Sequence, residues 1–148
     1  MKARKFVKRL DEKKIAAAIA DAEKHTSGEI RVVVDSRKVT NALETAKIEF
    51  FKLGMDRTRD RNAVLIYFAP ESRQFAVWGD LSIHNKCGYD FWRGIVAEMA
   101  GLLREEKFTD AIVLAVNRIG ETLKQHFPKK PDDTNELPND VVFRKPPQ

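Results

Sequence analysis

One run constrains this chain more than any other feature. Ala63-Val64-Leu65-Ile66-Tyr67-Phe68-Ala69 is apolar at every position and is followed at once by Pro70-Glu71-Ser72. Without polar alternation it suits a strand covered on both faces, and it is too short for an amphipathic helix. Pro70 supplies the fixed φ of an early turn position, so Gln74 to Trp78 is predicted to return as a second, antiparallel strand. With the turn centred near Glu71, residues whose numbers sum to about 142 face each other, which sets Asn62 opposite Asp80 with Asp60 just beyond.

A strand buried on both faces needs helices to cover it, and the rest of the chain supplies them. Asp11 is placed to cap a helix from Glu12 to about His25, with Ile15, Ile19 and Ala22 as its inward stripe. Glu29 to Asp35 is rich in β-branched residues and reads as the first strand. Asn41, with Glu44 three residues on, opens a helix with the stripe Leu43, Ala46, Phe50 and Leu53, closed by Gly54. Strand, helix, strand at this spacing is a βαβ unit, so the first two strands are predicted parallel and their starts share one edge of the sheet. Leu81 to Gly88 reads as a loop. A third helix spans about Asp90 to Glu105, and a fourth starts near Thr109, with Phe108 as its staple and Ile112, Val116, Ile119 and Leu123 inward. The predicted class is α/β, a mixed β-sheet flanked on both faces by helices.

The formal net charge of +5 is localised rather than spread. Lys2, Arg4, Lys5, Lys8 and Arg9 stand without an acid in residues 1–10, whereas residues 11–127 carry equal numbers of basic and acidic side chains. A basic arm on a neutral body is not the basic face of a nucleic-acid binder, so no nucleic-acid partner is expected. The arm itself is read as a solvated leader. Residues 128–148 hold five of the six prolines and read as an extended or disordered tail, with Leu137, Val141, Val142 and Phe143 available to pin it over the body. The organisation expected is therefore an arm (1–10), one α/β domain (11–127) and a tail (128–148). The lone Cys87 excludes an internal disulfide and a cysteine-based zinc site. No apolar run approaches the ~20 residues needed to span a bilayer, and no secretory signal follows the basic start; a cytoplasmic protein is expected.

Three blocks carry a resemblance: Thr26-Ser27-Gly28-Glu29-Ile30-Arg31-Val32-Val33-Val34, the stretch from Gly54 to Ile66, and Val77-Trp78-Gly79-Asp80 with Ile83-His84. In order and content they resemble the TPM-domain family, which includes a thylakoid-lumen protein described as an acid phosphatase, a photosystem II repair protein and an acetylcholine-receptor modulator. The resemblance covers roughly residues 11–127. It implies a mixed sheet between helices and, in some members, a bound divalent cation reported as calcium.

The convergence of Glu29, Asp60, Asn62 and Asp80 on one sheet edge points to a hard-cation site, because Ca²⁺ or Mg²⁺ takes oxygen ligands from carboxylates, amides, carbonyls and water. The same residues have a plain structural reading, in which Asp60 pairs with Arg57, Arg59 or Arg61, Glu29 pairs with Arg31 or caps a backbone group, and Asp80 holds a turn beside Gly79. Arg57, Arg59 and Arg61 offer an anion clamp or simply a solvated loop. No catalytic residue is assigned, since P-loop, G-x-S-x-G, H-E-x-x-H and G-x-G-x-x-G motifs are all missing. The expected function is a divalent-cation-binding interaction or regulatory module working with a protein partner. The alternative is a metal-assisted acid phosphatase acting on phosphomonoesters.

Overall fold

The apolar run forms the strand it predicts, with all of Ala63–Ala69 buried. A computed structural model describes residues 1–144, in the order α1 (Ala3–Lys8), α2 (Glu12–Glu23), β1 (Glu29–Asp35), α3 (Ala42–Lys52), β2 (Ala63–Ala69), β3 (Gln74–Gly79), α4 (Leu81–Arg104), α5 (Phe108–His126) and β4 (Val142–Arg144). The sheet runs β3-β2-β1-β4, with β1 parallel to both β2 and β4 and β2 antiparallel to β3. It is the mixed sheet expected, between helices.

Alternation along the strands decides which side chain meets which layer. Ile30, Val32, Val34, Val64, Ile66 and Phe68 join Ile15 and Ile19 of α2, Ile95 and Met99 of α4, and Ile112 and Ile119 of α5 in one core. Val33, Leu65 and Tyr67 face the other way, against Ala46 and Phe50 of α3 and against Met55. At about 1.5–3 kcal/mol for each large apolar side chain removed from water, these two cores dominate the stability.

Local signals explain the helix starts. Asp11 accepts from the Lys14 N–H at 3.1 Å, and Asn41 accepts from the Glu44 N–H at 3.2 Å, so both predicted caps form. The stripe of α3 differs from the expected one. Leu43 is exposed, and Glu49 is turned inward because Arg37 meets it at 2.6 Å.

Three further expectations are corrected. The hairpin register is one residue longer, pairing Val64 with Gly79 and Phe68 with Phe75, because Pro70–Ser72 forms a 3₁₀ turn and Arg73 follows it in the left-handed region (φ 52°). The Asp80 N–H therefore reaches the Ala63 carbonyl at 2.9 Å, and Asn62 lies one position beyond it. The expected loop from Leu81 to Gly88 is helical: Asp80 caps it by accepting from the Leu81 N–H, and Ile83 is buried beneath it. Gly88 interrupts that helix with φ 74° and ψ 179°, which only glycine adopts readily, so α4 restarts close to the predicted third helix. The basic arm is not a solvated leader. Ala3 and Phe6 of α1, with Leu10, enter the core while the basic side chains face water.

The tail is extended and pinned. The Lys129 N–H reaches the His25 carbonyl, Asp132 pairs with Arg59, the Glu136 and Leu137 N–H groups reach Glu29, and β4 then pairs with Val33, Val34 and Asp35. Among the described residues, no helix is long and apolar enough to cross a membrane. The tail residues 145–148 lie outside the described part.

Candidate functional site

The parallel register pairs Glu29 with Ala63, so Glu29 and Asn62 both stand at the strand starts, on the edge that the βαβ argument predicts. Glu29 is buried, and its Oε1 accepts from two backbone N–H groups of the tail, Glu136 at 2.6 Å and Leu137 at 2.8 Å. Its other oxygen, Oε2, is buried with no hydrogen-bond partner. Asn62 donates to the Ser27 hydroxyl at 3.0 Å, and its Oδ1 is likewise buried without a partner. Two orphaned acceptor oxygens, one carboxylate and one amide, thus lie at the same sheet edge.

The other two predicted members are held elsewhere. Asp80 receives both ends of the Arg61 guanidinium, at 2.7 and 2.8 Å, in addition to the Leu81 N–H. A bidentate pair of this kind satisfies the carboxylate and fixes its direction. Asp60 lies 3.5 Å from Arg59, which also pairs with Asp132 and Asp133 of the tail. Two of the three arginines considered as an anion clamp are therefore committed to carboxylates.

Glu23, at the end of α2, belongs to the site although sequence reasoning passed over it. Its Oε2 accepts from the Ile30 N–H at 2.9 Å, next to Glu29 in the chain. The signal was present: Glu23 follows Ile15 and Ile19 at i+8 and i+4, a position the stripe reserves for an apolar side chain. Burial pushes Glu23 up to about 7, against its hydrogen bond from Ile30 and with the help of the Glu29 charge; Lys129 opposes the rise. Burial likewise pushes Glu29 up to about 7, more than the two tail N–H groups and Arg31 can offset. Both carboxylates line a cavity of about 20 Å³ beside Ser27, Lys129, Asp133 and Asn135, enough for one water-sized occupant.

A second buried polar cluster closes the opposite end of β1. Arg37 donates to both oxygens of Asp35 at 2.9 and 2.7 Å, and Tyr67 donates to Asp35 at 2.6 Å. Burial raises the Asp35 carboxyl, but the Arg37 and Tyr67 hydrogen bonds outweigh it and hold the group below its ordinary range. This is the strand end where open α/β sheets usually bind ligands, yet its members satisfy one another and anchor α3 to the sheet.

Among the described residues, no three His, Cys, Asp or Glu side chains are grouped closely enough to hold a metal ion by themselves. Any cation here would draw on neutral oxygens as well. The donor set fits a hard ion on that basis, because the orphaned atoms are a carboxylate oxygen and an amide oxygen.

Fold and site together define an α/β domain with a carboxylate-and-amide edge at the strand starts, closed by its own C-terminal segment. The model of the TPM domain matches residues 2–122, and the chain belongs to that family. The match includes the basic arm. Among solved structures, the NMR structure of the BA42 protein from the psychrophilic bacterium Bizionia argentinensis is similar at 37% identity, with a TM-score of 0.79, over 89% of this chain and 91% of that one. No curated protein matches the chain.

Proposed function

We propose that this TPM domain binds one divalent cation, Ca²⁺ or Mg²⁺, at the strand starts and uses it to regulate how its C-terminal segment is held, as an interaction module for a protein partner. Glu29 and Asn62 would supply oxygens, Glu23 would lie close by, and carbonyls or water would complete the shell. The observation that carries this reading is the pair of buried oxygens without partners, Glu29 Oε2 and Asn62 Oδ1, since buried acceptors are seldom left unmatched. Glu29 also holds the Glu136 and Leu137 N–H groups, so charge compensation at its free oxygen bears directly on the segment above it.

The phosphatase alternative lacks a comparable observation, because Arg59 and Arg61 are already paired.

The test is thermal melting with and without millimolar Ca²⁺ or Mg²⁺, in the wild type, Glu29→Gln and Asp80→Asn. Binding to the folded state stabilises it by about 2.7 kcal/mol at a hundredfold excess over the dissociation constant. We expect the wild type and Asp80→Asn to rise with metal and Glu29→Gln to stay flat. An unmoved wild type, or an equal rise in Glu29→Gln, would overturn the assignment.

A further inference from the structure

At the end of the sheet away from Glu29, a cavity of about 530 Å³ opens between α1, the β2–β3 turn and the α4–α5 turn. That volume lies within the roughly 300–1,000 Å³ typical of small-molecule sites. Its walls are hydrocarbon and aromatic: Phe6, Phe68, Phe75, Ala100, Leu103 and Phe108. Phe6 ties them together, with its ring centroid 5.2 Å from that of Phe68 and 4.7 Å from that of Phe108. The wall is therefore a packed surface rather than a gap between loose side chains.

The mouth has the opposite character. Arg73 and Arg104 line the cavity and are exposed. The neighbouring acids are already taken, Glu71 by Lys2 and Glu106 by Arg9. Arg73 and Arg104 form no ion pair among the described residues. Gln74 offers an amide but spends it on α3, accepting from the Ala42 N–H and donating to the Thr40 carbonyl. Arg73 and Glu106, one in each turn framing the mouth, both have positive φ, 52° and 58°. Backbone held in this region clusters at ligand sites.

An apolar chamber with two guanidinium groups at its entrance matches one ligand class. We propose that this cavity binds a single-chain amphiphile with a carboxylate head, a fatty acid. Its hydrocarbon lies along the Phe68, Phe75 and Leu103 wall, and its carboxylate meets Arg73 and Arg104, whose planar donor forks suit carboxylate oxygens. The proposal is independent of the cation site at the other end of the sheet.

The full chain is titrated with dodecanoate below its micelle concentration and followed by NMR. We expect saturable one-to-one binding with the largest shifts at Phe75, Ala100 and Leu103. Arg73→Ala combined with Arg104→Ala leaves the core untouched and should weaken dodecanoate about tenfold, while leaving dodecanol unchanged. Ala100→Trp, which fills the chamber, should abolish binding of both. Should that variant fail to fold, the arginine pair still decides, because both residues are exposed. Dodecyltrimethylammonium binding as tightly as dodecanoate, shifts centred elsewhere, the absence of saturation, or an unaffected arginine double variant would each overturn the proposal.

Discussion

Glu29 has a titration range set by two neighbours of opposite effect. Burial withdraws water from the carboxylate, and the Glu136 and Leu137 N–H groups return only part of that solvation, leaving the group near 7 rather than its ordinary 4.5. Glu23 is shifted to about 7 in the same sense. The folded state therefore binds protons that the unfolded chain releases. Their contribution to stability is fully present below about pH 4.5 and is lost as pH rises through about 7. Denaturant midpoints measured across that window should fall for the wild type and fall less for Glu29→Gln, whose amide does not titrate. Because a cation competes with the proton, added Ca²⁺ should raise the wild-type midpoint at about pH 8 and leave it unmoved at about pH 5. A midpoint that is flat in pH would show that the two carboxylates keep ordinary values.

At the scale of the element, α1 is where charge composition misleads. It is a single short helix, yet Phe6 packs its ring, tilted, against Phe68 of β2 and Phe108 of α5. Phe6→Ala should cost about 3–5 kcal/mol, as other buried aromatic truncations do. At roughly 2–4 °C per kcal/mol, a melting scan should register the loss as a drop of about 6 °C or more; a drop below a degree or two would mean that α1 is only loosely laid on the core. In the sequence, five cations in residues 1–10 hide three inward positions, Ala3, Phe6 and Leu10, too few to stand out as a periodic stripe. By contrast β2 is legible because all its side chains are apolar, and α2 and α3 because Asp11 and Asn41 are strong caps. That Glu29 and Asn62 share the edge of the strand starts follows from parallel pairing alone. The grip of Arg61 on Asp80 does not, since it depends on one residue of hairpin register set by the left-handed Arg73. Glu23 was legible in principle as an acid in an apolar stripe.

For the whole molecule, the C-terminal segment is a strap held at several points of unequal strength. Arg31–Asp140 at 3.8 Å and Arg59–Asp132 at 3.3 Å join partners of which at least one is exposed, so each contributes about 0–1 kcal/mol and weakens with salt. The Glu29 contacts and the β4 ladder are better shielded. Hydrogen exchange at low and high salt should therefore show earlier opening at Asp132 than at Val142–Arg144, with removal of residues 128–144 speeding exchange along β1. Equal protection across the strap would contradict this ordering. The last strand reaches its place only by way of the long connection from α5, whereas β1 has its partner β2 on the other side far earlier in the chain. Until the strap docks, β1 presents bare N–H and C=O groups to the surroundings, a template that any extended chain can read. A tether long enough to carry β4 back to its own β1 also carries it to the β1 of a neighbouring molecule, so the closure that completes one fold is also a route by which two copies can exchange strands.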